Sequence, residues 1–328
     1  MKIINFSSKV TKSTVVQCVA TMGFFDGVHL GHRFLIEQVK KEAARLNLPS
    51  AVITFPVHPR KVLQQEYQPA LLSGYDEKLH QLETTGIDYC FSLPFTRELS
   101  QYTAEEFIVK VLSNQMGVHT LFVGHDHRFG HNREEGFIEY SHYGETVGMN
   151  VVQAKEFRYH DHPVSSSRVR TLLKEGNIIE ANALLSYNYT ISGKIVEGYQ
   201  VGRTIGFPTA NIKSWEKYKV IPKLGVYAVK VHLENNDVYN GMLYIGKRPT
   251  LRDNMEVSVE VNIFDFNGDL YNQHLSVEFI DFVRSDEKFP TIEELTDQIQ
   301  RDKINVISRL NKAVKAQSGN NCSTQLEA

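Results

Sequence analysis

The residues with most chemistry to offer stand in a few short runs. In GFFDGVHLGH, Gly23 to His32, glycines recur every fourth position (Gly23, Gly27, Gly31), and His29 and His32 stand one helical turn apart. Glycines let backbone N–H groups close on an anion, and imidazoles, whose charge is tunable near neutral pH, suit a polyphosphate. VSSSRVR, Val164 to Arg170, adds three hydroxyls at a helix start together with Arg168 and Arg170. Such a set would stabilise a leaving pyrophosphate. GYQVGRTIGFPTAN, Gly198 to Asn211, is glycine-rich again and ends on Thr209 and Asn211, hard oxygen ligands suited to Mg²⁺. Each run also has a plainer reading: a tight turn with solvated histidines, a capped helix, a strand connection punctuated by Pro208. The serine run gains its weight from its pairing with the two histidines.

Two further positions carry chemistry. VSVEVNIF alternates Val257, Val259, Val261 and Ile263 with Ser258, Glu260, Asn262 and Phe264. Glutamate is depleted in strands, so Glu260 is either a solvated outward residue or a base placed to take a proton from a substrate hydroxyl. GHDHRFGH gathers His125, Asp126, His127 and His131, yet their spacing matches neither a helix-borne nor a zinc-finger ligand set. It reads better as a loop at the ligand-binding edge of a sheet, where Asp126 holds a ribose or base. DFNGDL lacks the ligand loop of a calcium site and reads as a hairpin turn.

The elements around these runs place them. STVVQCVATM has the composition of a buried strand, and HRFLIEQVKKEAARLNLP puts Leu35, Val39, Ala43 and Leu46 at helical spacing before Pro49. Strand, glycine loop and helix thus follow one another, as at the first strand of a doubly wound sheet, where the positive helix end attracts phosphate. SAVITF, DEKLHQLETTG, DYCFSLPF, TAEEFIVKVLSNQMG, HTLFVG and NVVQAKEF continue the alternation of strands and helices, and SSSRVRTLLKEGN closes it as a short helix stopped by Gly176. The alternation signals α/β structure with a largely parallel sheet. From about Tyr187 the pattern changes to strands separated by turns such as ENND and FNGD, the signature of antiparallel hairpins. A final helix opens with Thr291 and Glu294 as a capping box. The expected domains are 1–185 (α/β) and 186–314 (mostly β with a terminal helix), and 315–328 is expected to be a disordered tail.

Of the 328 residues, 41% are hydrophobic and 23% charged, and the net charge is −2. This is the profile of a soluble globular chain of two domains, and it advertises neither nucleic acid nor membrane as partner. Three cysteines, Cys18, Cys90 and Cys322, have no paired spacing. The opening MKIINFSSKVTKS lacks the apolar core of a signal peptide, and no apolar run is long enough to span a bilayer. The expected location is the cytoplasm. Neither a Walker A sequence nor GxGxxG is present, so nucleotide chemistry must enter another way.

Taken in order, GFFDGVHLGH, TFPVHP, GHDHRFG, VSSSRVR, GRTIGFPTAN, GVYAV, IGKRPT and VEVNIFDF with DLY resemble the bacterial bifunctional riboflavin kinase/FMN adenylyltransferase (FAD synthetase) family over about residues 15–310. The resemblance implies a Rossmann-like nucleotidyltransferase domain of the HxGH superfamily followed by a flavokinase antiparallel β-barrel. It implies that Gly23, Phe24, Asp26, Gly27, His29, His32, Asp126, Ser166, Ser167 and Arg168 bind ATP for adenylyl transfer, with His29 and His32 catalytic. In the kinase it implies that Gly202, Gly206, Pro208, Thr209 and Asn211 bind ATP, that Thr209 and Asn211 hold Mg²⁺, and that Glu260 is the base. The substrates would be ATP, riboflavin and FMN. The chain departs from the family pattern at Pro56 and Val57, where an acidic residue and Pro are usual, at His127 for Phe, at Asn262 for His, and at Asn272 for Gly. Other readings of the same residues are a kinase whose adenylyltransferase domain is weak or inactive, and a flavin-binding regulator.

Overall fold

The computed structural model describes residues 1–6, 17–64, 66–124, 127–131, 133–197, 202, 206–214, 216–249 and 255–320. The chain divides into two compact units, 1–166 and 167–328. Among the described residues no helix is long and apolar enough to cross a membrane.

The first unit is a six-stranded parallel sheet in the order β1-β4-β3-β2-β5-β6. Its strands are β1 (Lys2–Asn5), β2 (Cys18–Met22), β3 (Ser50–Thr54), β4 (Tyr89–Ser92), β5 (Val118–Val123) and β6 (Asn150–Gln153). β2 and β3 are buried at every residue, which is why they read as unbroken runs of small and branched side chains rather than as an alternation. From β2 the chain steps outward through β3 to β4, then returns to lay β5 and β6 on the other side of β2. The reversal of strand order therefore lies at β2 and β5, and ligands of such sheets collect beyond the carboxyl ends of the strands there.

Helix α1 (Leu30–Leu46) buries Ile36, Val39 and Ala43 and ends at Asn47 in the left-handed conformation, two residues before Pro49. A short α2 (Pro59–Leu63) and α3 (Tyr75–Glu83) follow. The expected helix over TAEEFIVKVLSNQMG starts as α4 (Ala104–Glu106), capped reciprocally by Thr103 and Glu106, and continues as a π-helical stretch over Phe107–Ser113. α5 (Phe137–Thr146) precedes β6, which ends at Gln153 where NVVQAKEF predicts a longer strand. Edge strand β1 and the hairpin of β7 (Arg158–Tyr159) and β8 (His162–Pro163) add to the sequence reading, being too short to show a period.

In the second unit α6 (Ser166–Glu175), which begins on the last residue of the first, stops at Gly176 with φ +87°. α7 (Ile178–Leu185) packs on β14. The six strands β9 (Thr190–Val196), β10 (Ala210–Ser214), β11 (Gly225–Leu233), β12 (Val238–Pro249), β13 (Met255–Ile263) and β14 (His274–Ser285) form a closed antiparallel barrel in the order β10-β13-β12-β11-β14-β9. Val226, Ala228, Met242, Phe264 and Ile280 pack against Val306 and Leu310 of the terminal helix α8 (Ile292–Asn320). Residues of the opposite parity, among them Val229, Leu243, Val261 and Val277, are fully buried and fill the barrel. Thr291 Oγ1 accepts the Glu294 N–H, one of the two bonds of the expected capping box. α8 runs to Asn320, past residue 314 where the expected tail begins. Residues 312–317, Lys-Ala-Val-Lys-Ala-Gln, consist almost wholly of good helix formers. Residues 321–328 lie outside the described residues.

Candidate active sites

In the first unit, the loop after β2 turns sharply. Phe25, Gly27 and Val28 all have positive φ (53°, 78° and 39°), and two of these are not glycine. Such strain persists only where surroundings over-determine it. Here Asp26, 4% exposed, accepts the N–H groups of Leu72 (2.9 Å) and Ser73 (3.2 Å) on one carboxylate oxygen. The Gly27 N–H donates to Ser73 Oγ (3.1 Å), and the Ser166 hydroxyl donates to the Asp26 carbonyl (2.9 Å). Asp26 thus shapes the loop from within.

His29 is the N-cap of α1, its Nδ1 accepting the His32 N–H at 3.4 Å. The two imidazoles stack with centroids 3.6 Å apart and planes 17° from parallel, and Phe25 meets His32 edge-on at 5.2 Å. A Cβ on Gly31 would come within 3.2 Å of the His29 ring, so glycine lets the pair close up. Burial, then the neighbouring charges of His29 and Lys78, hold the His32 pKa well below its usual value. His32 is therefore neutral at pH 7, and its buried Nδ1 has no hydrogen-bond partner among the described residues.

Lys78, on α3, is a residue that sequence reasoning passed over, because DEKLHQL reads as an ordinary surface helix. It is only 2% exposed. Its ammonium donates to the carbonyls of Phe24 (3.1 Å) and Phe55 (2.8 Å) and sits 4.0 Å from the centroid of the Phe24 ring. Phe24 and Phe55 lie just beyond the ends of β2 and β3, so Lys78 ties those two strand exits together.

Beyond the same strand ends opens a cavity of about 500 Å³, walled by Phe24, Phe55, Phe95, Phe107 and Phe129. Its polar lining includes three arginines, Arg60, Arg128 and Arg133, and three histidines, His58, His127 and His131, beside the neutral Gln64, Ser100 and Tyr102. A flat aromatic anion is the ligand such walls suit. His127 Nε2 is buried without a partner among the described residues, and burial, then the charge of Arg133, lowers its pKa to about 4. Pro56 and Val57, the other departures in this unit, do not line the cavity, and Val57 is exposed. Asp126 lies outside the described residues. No group of three or more His, Cys, Asp or Glu placed to hold a metal occurs among the described residues.

The unit boundary falls within VSSSRVR. Ser166 is brought to the Asp26 carbonyl, whereas Ser167 and Arg168 belong to the second unit, where Arg168 Nη2 pairs with Glu180 of α7 at 2.6 Å.

On the barrel, Asn211 of β10 lies directly opposite Glu260 of β13, and Tyr244 of β12 lies opposite Glu260 on its other side, so the three share one face. Glu260 is half-buried. Its Oε2 accepts the Thr209 hydroxyl at 3.3 Å and its Oε1 the Ser258 hydroxyl at 3.4 Å. Tyr244 donates to Asp286 (2.7 Å), and burial, then that bond and the charges of Asp286 and Glu260, keeps its phenol protonated. Gly206 has φ +82°, and a Cβ on Gly202 would fall 2.2 Å from the Phe207 carbonyl oxygen, so both glycines are demanded by the turn that delivers Pro208 and Thr209. Residues 198–201 and 203–205 of that run lie outside the described residues. A second cavity, of about 720 Å³, begins at Pro208 and Thr209 and extends past Phe266 to Asp269 and Tyr271.

The first unit thus sets a histidine pair at the switch point of a parallel sheet, and the second carries a hydroxyl–carboxylate pair on a closed barrel. Residues 11–168 match the family profile of FAD synthetase, and residues 185–310 that of riboflavin kinase. The bifunctional riboflavin kinase/FMN adenylyltransferase of Haemophilus influenzae is 36% identical over 285 residues, covering 87% of this chain and 92% of that one. The Escherichia coli K12 protein of the same name is 36% identical over 304 residues, covering 93% and 96%, and that of Bacillus subtilis 35% over 295 residues, covering 89% and 92%. The crystal structure of a macrolide-efflux protein from Streptococcus pneumoniae matches with a TM-score of 0.83 at 30% identity, covering 92% of this chain and 98% of that one. The chain belongs to the bifunctional riboflavin kinase/FMN adenylyltransferase family.

Proposed function

We propose that this chain phosphorylates riboflavin to FMN and adenylylates FMN to FAD, releasing pyrophosphate. Adenylyl transfer is assigned to residues 1–185 and the kinase to 186–314. The observation that carries the reading is the presence, in one chain, of a stacked histidine pair beside an aromatic, cation-rimmed cavity and of a carboxylate bonded to a hydroxyl on a barrel strand.

In the adenylyltransferase, ATP lies along the Gly23–Gly27 loop with its phosphates at the amino end of α1, where the helix dipole favours anions. FMN occupies the 500 Å³ cavity, its ring among the phenylalanines and its phosphate among the arginines. A phosphate oxygen of FMN attacks the α-phosphorus, the bond to the bridging oxygen breaks, and pyrophosphate leaves with the electron pair. His32, being neutral, acts by hydrogen bonding rather than by charge. Within this unit Ser166, held at the Asp26 carbonyl, receives the pyrophosphate. Catalysis is then mostly positioning and charge neutralisation.

In the kinase, Glu260 takes the proton of the ribityl 5′-hydroxyl, the oxygen attacks the γ-phosphorus of ATP, and ADP leaves. The donor set of Thr209, Asn211 and Glu260 fits Mg²⁺, which prefers hard oxygens and commonly shares one or two carboxylates with substrate phosphates. Thr209 and Asn211 would hold the ion, which when bound neutralises the charge on the transferred phosphoryl group. Gly202 and Gly206 let the backbone approach the nucleotide. Substrates are the only partners this scheme requires.

The test is chromatography of flavins after incubation with Mg·ATP and either riboflavin or FMN. FAD is expected from both. FMN accumulating from riboflavin, with supplied FMN left unconverted, would refute the adenylyltransferase half and leave a kinase.

A further inference from the structure

β10 joins the barrel at Ala210, opposite Val261, and the next pair is Asn211 with Glu260. One step back in the same register, Thr209 would face Asn262, and there the ladder stops. Asn262 spans the gap with its side chain: Nδ2 donates to the carbonyl of Pro208 at 2.7 Å. The side chain is 7% exposed and stands between Met242, its cross-strand partner, and Phe264, both of them in the apolar cluster under α8. An amide in such surroundings is costly unless it is hydrogen-bonded, so this bond fixes the side chain and the Pro208 carbonyl together. Thr209 follows directly, and the proline ring limits the freedom between the anchored carbonyl and the preceding turn. Glu260 precedes Asn262 by two residues and shares its face of β13. One face of one strand therefore carries both the carboxylate and the anchor of the hydroxyl that meets it.

We propose that Asn262 is a positioning residue of the phosphoryl-transfer site, the side chain that holds Thr209 against Glu260. This rests on the reading of Thr209 and Glu260 as members of that site. The role differs from packing alone, because it depends on an N–H at the δ position, directed at one carbonyl.

The test compares Asn262→Leu, Asn262→Asp and Asn262→His in the full-length protein, with FAD formation from supplied FMN as the control for integrity of each preparation. Leucine has the shape without the donor. Aspartate is nearly isosteric but turns a carboxylate oxygen on the carbonyl. Histidine restores an N–H at the δ atom. Loss of one such bond corresponds to about tenfold in rate, so the Leu and Asp variants should lose about tenfold in kcat for FMN formation, with KM for riboflavin within about twofold of the parent. The His variant should recover most of that loss. The proposal is overturned if Asn262→Asp keeps the parental kcat, or if Asn262→His is as impaired as Asn262→Asp. That pair decides the matter even if the leucine variant does not fold. Glu260→Gln is measured alongside. If it retains full kinase activity, the underlying site assignment fails and the proposal with it. If it is inactive while the Asn262 variants are unimpaired, the assignment stands and only the positioning role falls.

Discussion

Replacing Lys78 by methionine isolates the effect of burying one ammonium at the base of the first site. Burial lowers the Lys78 pKa from 10.5 to about 8, with the charges of Asp26 and Cys90 opposing the shift. A displacement of that size corresponds to about 3 kcal/mol by which the fold disfavours the charged form. Two carbonyl hydrogen bonds and the Phe24 ring act in the opposite direction, so the net change at neutral pH is small. The pH dependence is not subject to that cancellation. Below about pH 8 the folded and unfolded chains both hold the proton, and the cost is present in full. Between about pH 8 and 10.5 the unfolded chain holds more protons than the folded one, so stability rises with pH. From about pH 7.5 to 9.5 the parent should therefore gain about 2 kcal/mol relative to Lys78→Met. Urea unfolding followed by far-UV circular dichroism at the two pH values measures the difference. A parent-minus-variant difference that stays flat across this range would refute the claim that the ammonium is held at a desolvation cost.

Glu260→Gln should lower FMN formation by about a hundredfold or more, the usual contribution of a general base, and spare FAD formation from FMN; comparable loss of both activities would sink the assignment. His29→Ala and His32→Ala should each reduce FAD formation about a hundredfold with FMN formation from riboflavin unchanged, as measured by the same flavin separation. Gly130→Ala should destabilise the first unit by about 1–3 kcal/mol, because φ is +93° and the new Cβ would lie 2.8 Å from the Ala104 nitrogen. Since Gly130 also lines the aromatic cavity, KM for FMN should rise in that variant, and an unchanged melting curve would contradict the reading.

The sequence revealed the sheet and barrel because their periods are long and distinct: unbroken buried strands between helices in the first unit, alternation broken by ENND and FNGD in the second. It was less informative where a short element is fixed by tertiary contact. Lys2–Asn5 becomes a strand because β4 offers it an edge, and Ile178–Leu185 a helix because four apolar side chains find the barrel. The histidine pair was visible from its spacing, although spacing says nothing of the 3.6 Å stack or of which imidazole is neutral. Glu260 stood out as a glutamate in a strand, yet its contact with Thr209 joins positions 51 apart in sequence. Lys78 gave no signal at all, since a lysine in a helix is ordinarily solvated, and only the fold shows two strand exits converging on it.

The π-helical stretch Phe107–Ser113 amounts to one residue too many wound into a helix. Phe107, Ile108, Val111 and Leu112 are all buried in one core cluster, and Phe107 also lines the cavity, its ring 5.6 Å from that of Phe129. At about 100° per residue, positions 107, 108, 111 and 112 fall on one face of an α-helix. That face is the permanent interior, and at its first residue it is also the wall of the cavity. A substitution at position 107 would therefore disturb core and cavity wall together, so the ligand's surroundings cannot be altered there without repacking the helix behind them.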